Sequence, residues 1–243
     1  MSTIYRRIVD FSRTIGADRL VDRTVGAING TATTEPVFHL TFDDGPHPGV
    51  TPEILDVLSH HDAPATFFVL VGHAEEQAAL LREMIDRGHE IGLHTRSHRR
   101  LSTLPWHSLM DEIVTARREL ESVTGTKVRW FRPPYGAQGI RALPLVRMAA
   151  MTTVNWSVDS SDWKGITTED PLSEAVGEIG AGGILLLHDT PADSDGDDGA
   201  KGFISKAELT DLYLKAIAGK GLAHVSLSDL MKRGPWVRQA RLS

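Results

Sequence analysis

The sequence contains no cysteine. Disulfides, thiolate nucleophiles and cysteine-ligated zinc are therefore excluded, and any metal ion must be held by His, Asp or Glu. No apolar run approaches the roughly 18–20 residues of a membrane-spanning helix. The N-terminal stretch lacks the uninterrupted apolar core of a secretory signal, because Asp10, Arg13 and Asp18 interrupt it. A cytoplasmic protein is the expectation. Positive charge is not in excess either: 26 Lys and Arg against 32 Asp and Glu give a formal net charge of -6. That balance argues against general nucleic-acid binding. No internal repeat occurs. What the chain does have is 243 residues, 41% of them hydrophobic, enough for one α/β domain or at most two small ones.

Ile4, Ile8, Phe11 and Ile15 recur at helical spacing. Residues 4–28 therefore read as an amphipathic helix packed across the outside of the domain. Arg6, Arg7 and Arg13 keep peripheral contact with an anionic membrane surface open as the alternative. Residues 29–35 read as a linker, which leaves 1–35 as an N-terminal appendage and 36–243 as the catalytic domain. Strands are expected at 37–42, 65–71, 89–93, 128–131, 152–156, 183–187 and 223–225. Helices are expected between them at 51–58, 74–87, 106–123, 140–149, 172–179 and 205–218, with a last short one from Ser228. Thr51 reads as an N-cap, Gly88 as a residue just past a helix end, and Ser205 with Glu208 as a capping box.

This alternation predicts a (β/α) barrel or a doubly wound sheet. Unusual polar residues follow several different strands: Asp43 and Asp44, His94, Arg132, Asp159 and Asp162, and His188. Convergence from many strand ends favours the C-terminal face of a barrel over a single crevice. With about seven parallel strands, the expectation is a distorted or incomplete (β/α) barrel.

Asp43 and Asp44 end an apolar strand just before Gly45-Pro46. Adjacent residues in a strand face opposite ways, but at a turning strand end two carboxylates can share a site. One can then bind a metal while the other moves a proton. His94-Thr95-Arg96-Ser97-His98 supplies two imidazoles able to grip one ion. Taken alone, that spacing fits two surface or capping histidines equally well. A carboxylate from another strand end completes a His-His-Asp set, which leaves positions open for water and substrate. Zinc is the default ion, with cobalt and nickel as alternatives. His89 begins the strand that ends at His94 and is expected to be structural.

Five segments, in order, resemble the five motifs of the polysaccharide deacetylases, carbohydrate esterase family four. They are Thr-Phe-Asp-Asp-Gly-Pro at 41–46, His-Thr-Arg-Ser-His at 94–98, Arg-Pro-Pro-Tyr-Gly at 132–136, Asp-Ser-Ser-Asp-Trp at 159–163 and Leu-Leu-Leu-His-Asp at 185–189. The resemblance spans about residues 36–230. It implies Asp44, His94 and His98 as metal ligands and Asp43 as general base for a metal-bound water. Arg132 would position that base, and the Tyr135 backbone N–H would help hold the oxyanion. His188, supported by Asp162, would be the acid that protonates the leaving amine. Trp163 and Leu187 would line the groove, Leu187 receiving the acetyl methyl, while Asp159 is structural or groove-lining and Asp189 caps the loop. The implied activity is metal-dependent removal of N-acetyl groups from an amino sugar, oligosaccharide or glycan precursor. An O-acetyl esterase acting on xylan or a similar polymer is the alternative, and an inactive carbohydrate-binding member is a third reading. The complete metal, base and acid set argues against the third.

Two features fall outside the motifs. Residues 193–199 form an acidic stretch that reads as a solvated loop; a calcium loop over 197–208 fails because Gly199 and Lys201 occupy positions that need oxygen ligands. Arg96, Arg99 and Arg100 flank the two histidines, and Arg99 stands where the family often has proline. This cluster reads as a solvated face, with contact to an anionic group on the substrate as the alternative.

Overall fold

The computed structural model describes residues 25–165, 172–191 and 204–240. Most of the expected N-terminal helix and the whole acidic stretch 193–199 lie outside the described residues. Ten strands are described: β1 (Ala27–Thr31), β2 (Val37–Asp43), β3 (Ala65–Val69), β4 (Glu90–Leu93), β5 (Trp130–Phe131), β6 (Thr152–Thr153), β7 (Val158–Asp159), β8 (Ile184–His188), β9 (Ala223–His224) and β10 (Trp236–Gln239). Between them lie α1 (Thr51–His60), α2 (Ala78–Asp86), α3 (Trp106–Met110), α4 (Ala116–Thr124), α5 (Leu143–Met148), α6 (Leu172–Glu178), α7 (Lys206–Gly219) and α8 (Leu227–Leu230). A π-helical turn, Asp111–Thr115, joins α3 to α4. No described helix is long and apolar enough to cross a membrane.

Seven strands form one parallel sheet in the order β6-β5-β4-β3-β2-β8-β7. β2 and β3 are buried along their whole length, as expected where both faces are covered. One face packs on the helices: Leu40, Phe42, Phe67, Val69, Leu93, Phe131, Leu185 and Leu187 share a cluster with Leu55, Leu81, Leu120 and Leu214. The other face curls around a second cluster that holds Ile28, Phe68, Val154, Trp156, Ile184 and Leu186. Strand alternation assigns these faces. The interior is tight: a Cβ on Gly92 would lie 2.6 Å from the Phe68 ring, so only glycine fits there.

The sheet's two edges, β6 and β7, are joined by residues 154–157 alone. β1 seals this gap. It bridges Ile28 to Val154 and Gly30 to Gly183, and the Ile28 carbonyl accepts the Asn155 N–H at 2.7 Å. This corrects the linker reading of 29–35. Ala27–Thr31 is a buried strand, paired antiparallel with β10, because the incomplete barrel needs a strand across its opening. β7 and β10 were also not expected. Thr51 begins α1 but does not cap it; Val50 is the N-cap, since the Thr51 hydroxyl is committed to Asp189 at 2.7 Å. Ser205 does cap α7, accepting the Glu208 N–H, and Gly88 follows α2 at φ 88.

Candidate metal and proton-transfer site

The polar residues that follow the strands meet at the C-terminal end of the sheet. Register brings Asp43 of β2 opposite His188 of β8. Arg132 follows β5 and is fully buried. Its guanidinium donates to Asp43 Oδ1 at 2.7 Å, Thr41 Oγ1 at 2.8 Å, the Asn155 carbonyl at 2.8 Å and the Val154 carbonyl at 3.1 Å. The same group lies 4.1 Å from the centre of the Phe68 ring. A buried cation is tolerated when it is paired and hydrogen-bonded in this way. The contact with Arg132 leaves Asp43 Oδ2 facing His94 Nε2 at 3.8 Å.

Asp44, His94 and His98 each present a ligand atom, and all three atoms lie within 4.8 Å of one another. His94 Nε2 is 3.3 Å and His98 Nε2 3.4 Å from Asp44 Oδ1. That oxygen is buried and has no hydrogen-bond partner among the described residues. His94 Nδ1 lies 2.8 Å from the Arg132 carbonyl. A carbonyl only accepts, so Nδ1 carries the proton and Nε2 offers a lone pair, the usual support of a metal-ligating imidazole. Burial opposes ionisation of Asp44, but the nearby His94, His98 and His188 imidazoles lower its pKa to about 2. An ionised carboxylate with an orphaned oxygen beside two imidazoles fits a divalent cation.

The loops that carry these ligands are strained and braced. Asp44 (φ 77), Thr95 (φ 75) and His98 (φ 58) occupy the left-handed region, at about 1–3 kcal/mol each. Asp189 is buried beneath the first loop. Its Oδ1 accepts the Gly45 N–H at 3.0 Å and its Oδ2 accepts the Thr51 hydroxyl at 2.7 Å, so it does hold the loop. A Cβ on Gly45 would come 2.1 Å from that carboxylate. Glu112, in the π-helical turn and also buried, braces the second loop. It accepts the Arg96 N–H at 2.9 Å, the Ser97 N–H at 3.0 Å and the Ser97 hydroxyl at 2.5 Å.

His188 Nδ1 sits 2.7 Å from Asp162 Oδ1, while its Nε2 points into the site, 4.0 Å from Asp44 Oδ2. Asp162 Oδ2 accepts the His188 N–H at 2.9 Å and the Lys206 ammonium at 2.7 Å. Burial alone would lower the His188 pKa. The hydrogen bond and charge of Asp162, with Asp43 and Asp44, raise it instead to about 9. Burial would raise the pKa of Asp162, but His188 and Lys206 depress it to about 2. An imidazolium–carboxylate pair results.

Tyr135 is exposed with φ 61, and its ring packs edge-on against His98 at 4.8 Å. Trp163 is exposed beside Asp162 rather than packed in the core. Asp159 is exposed and accepts the Ser161 N–H at 2.8 Å. His89 is buried and accepts the Ala65 N–H at 3.2 Å, away from the ligand cluster. Leu187 does not join the site: it is 1% exposed and belongs to the helix-facing cluster. Because faces alternate, Leu186 is the residue that shares the inner face with His188. The motif's run of three leucines hides this distinction. Glu112 and Lys206 were missed as well. The signal for Glu112 was a carboxylate on the apolar stripe of Leu109, Ile113, Ala116 and Leu120; for Lys206 it was absent, since it reaches Asp162 only through the fold. Asn155, also missed, donates from Nδ2 to the Gly136 carbonyl at 3.0 Å and so ties the Tyr135 turn to the strand closure.

Comparison with known proteins places these observations in a family. The polysaccharide deacetylase family model matches residues 30–154. A chitooligosaccharide deacetylase of Bradyrhizobium sp. (strain ANU 289) is 39% identical over 170 residues, 70% of this chain and 76% of that protein. Among solved structures, the Bc1960 peptidoglycan N-acetylglucosamine deacetylase superposes with a TM-score of 0.77 at 26% identity, covering 92% of this chain and 98% of its own. A carbohydrate esterase family four pseudoenzyme from Bacillus anthracis superposes with a TM-score of 0.76 at 25% identity, covering 87% and 71%. The fold thus serves active and inactive proteins alike, and function must be argued from the side chains.

Proposed function

Because this chain belongs to the polysaccharide deacetylase family, we propose that it is a metal-dependent carbohydrate N-deacetylase, acting on N-acetylglucosamine units of the chitooligosaccharide or peptidoglycan type. One observation carries the reading. The orphaned Asp44 carboxylate oxygen meets two imidazole lone pairs beside an arginine-tethered carboxylate and a carboxylate-backed imidazolium. Asp44, His94 and His98 would hold the ion, zinc being the first choice and cobalt or nickel alternatives. When bound, such an ion polarises a carbonyl and lowers the pKa of a water molecule.

The chain's own residues do the rest. Arg132 fixes Asp43 Oδ1, which leaves Oδ2 to accept the proton of the attacking water. The Tyr135 N–H, aimed by the Pro133-Pro134 turn, donates to the oxyanion. His188 holds a proton on Nε2 because Asp162 takes Nδ1–H, and it gives that proton to the departing nitrogen. Leu186, in place of Leu187, is the apolar side chain positioned to meet the acetyl methyl. The products are acetate and a free amino sugar.

The test is acetate release by metal-stripped protein reloaded with zinc, cobalt or nickel. Substrates are short chitooligosaccharides, a peptidoglycan-type glycan and acetylated xylooligosaccharides. Release from the xylooligosaccharides alone overturns the N-deacetylase reading in favour of the O-acetyl esterase. Asp43→Asn should lower kcat at least ~100-fold, the scale of general-base loss; near-normal turnover would remove Asp43 as the base.

A further inference from the structure

Two exposed aromatic rings flank the site, and each carries a cation. On the His98 side of Asp44, the Arg100 guanidinium lies 4.6 Å from the centre of the Tyr135 ring. On the His188 side, the Lys164 ammonium lies 4.9 Å from the centre of the Trp163 ring. All four residues are exposed. Neither cation has an ion-pair partner among the described residues, and Arg99, exposed beside Arg100, has none either. The neighbouring cations differ: Arg96 is paired with Asp111 and Glu119, Arg132 with Asp43, and Lys206 with Asp162. Among the described residues, the exposed Asp159 carboxylate near Trp163 in sequence is turned onto the Ser161 N–H at 2.8 Å.

A cation held over a ring face is oriented without being neutralised, and the exposed ring edges remain able to pack on the C–H face of a sugar. Among the described residues, the charge at this rim also runs against the net -6 of the chain. Three cations at the rim with no ion-pair partner among the described residues suit a substrate bearing an anion better than a neutral glycan. We propose that the groove selects N-acetylated glycans carrying an anionic substituent, a carboxylate or a phosphate, near the reacting acetamide, with Arg100 and Lys164 reading the charge. This inference rests on the deacetylase reading of the same site.

The test compares four substrates on zinc-loaded protein: a neutral N-acetylglucosamine tetramer, a tetramer of matched length with lactyl carboxylates on alternate sugars, N-acetylglucosamine 1-phosphate and the free sugar. The tetramer pair tests a carboxylate and the monosaccharide pair a phosphate. Equilibrium binding is measured beside acetate release. An anionic-to-neutral ratio of kcat/KM of about tenfold is expected at low salt, the size of one charge-assisted contact. The ratio should collapse in ~1 M salt, where the screening length is about 3 Å. Arg100→Gln and Lys164→Gln should each reduce the ratio, and Arg100→Lys should retain part of it. A wild-type ratio at or below one, or variants that weaken both substrate classes equally, overturns the proposal. Should no substrate release acetate, the deacetylase reading fails, and the binding ratio alone then decides the charge preference by the same criteria.

Discussion

The His188–Asp162 pair makes opposite use of its two pKa shifts. The folded His188 pKa of about 9 lies above its ordinary 6.5, so its stabilisation is complete below about pH 6.5 and is lost as pH rises through 9. The folded Asp162 pKa of about 2 lies below its ordinary 3.8, so its share is present above about pH 4 and is lost as pH falls through 2. Both contributions coexist between about pH 4 and 6.5. In metal-free protein, thermal melting of His188→Gln against wild type should show its widest gap near pH 5–6 and a gap at least about 2 °C smaller at pH 10. A gap that ignores pH would show that the imidazolium is not what the pair stabilises. Asp43 and Asp44 show a similar division of labour between neighbours. The Asp-Asp-Gly-Pro motif made the pair legible, and only the family resemblance gave each carboxylate its partner; spacing could not, because Arg132 is distant in sequence and reaches Asp43 from inside the barrel.

At the scale of elements, the π-helical turn between α3 and α4 sets the second ligand loop. Its extra residue per turn brings the Glu112 carboxylate under the Arg96 and Ser97 amides, and π turns recur at functional sites for such reasons. Glu112→Ala leaves two partly buried amides without their acceptor and frees the left-handed His98 turn. It should weaken zinc binding by about tenfold or more, within the range for outer-shell support of a metal site, as measured by chelator competition. Unchanged affinity would show that the loop holds itself. Elements with strong periodicity were readable before any coordinates: the four longer strands of the sheet, β2, β3, β4 and β8, and the amphipathic helices carry their own signal. β7 and β1 were not. β7 has two residues, too few to alternate, and β1 (Ala-Ile-Asn-Gly-Thr) has linker composition. Both are strands because barrel closure demands them there. The Leu187 misplacement has the same root, since a uniform leucine run carries no period from which to assign a face.

Across the whole molecule, two buried histidines far from the ligand cluster join strands at the base of the sheet. His39 bridges the Val225 carbonyl at 2.7 Å and Thr66 Oγ1 at 2.9 Å. Glu90 continues the network, accepting the Ser228 N–H at 3.1 Å. Burial lowers the pKa of His39 to about 4, against an opposing pull from Glu90, and burial with the charge of Arg87 lowers His89 to about 4. A depressed histidine contributes stability above its unfolded pKa and loses it as pH falls through the folded one. The protein should therefore lose stability between about pH 6.5 and 4, read as a falling urea midpoint, with His89→Phe flattening part of the slope. A midpoint constant over that range would contradict neutral burial of both rings.

β1 and β10 run antiparallel, with Ala27 opposite Gln239 and Thr31 opposite Trp236. Tension applied to the chain on either side of this ladder would enter it at the Ala27–Gln239 end. Antiparallel hydrogen bonds lie across the strands, so such a load opens them one after another, as a zipper, and never shears them together. In an optical trap the first event should be a small extension at low force that uncovers the seam between β6 and β7. The parallel sheet behind it, gripped by buried side chains on both faces, should yield later and in a single larger step.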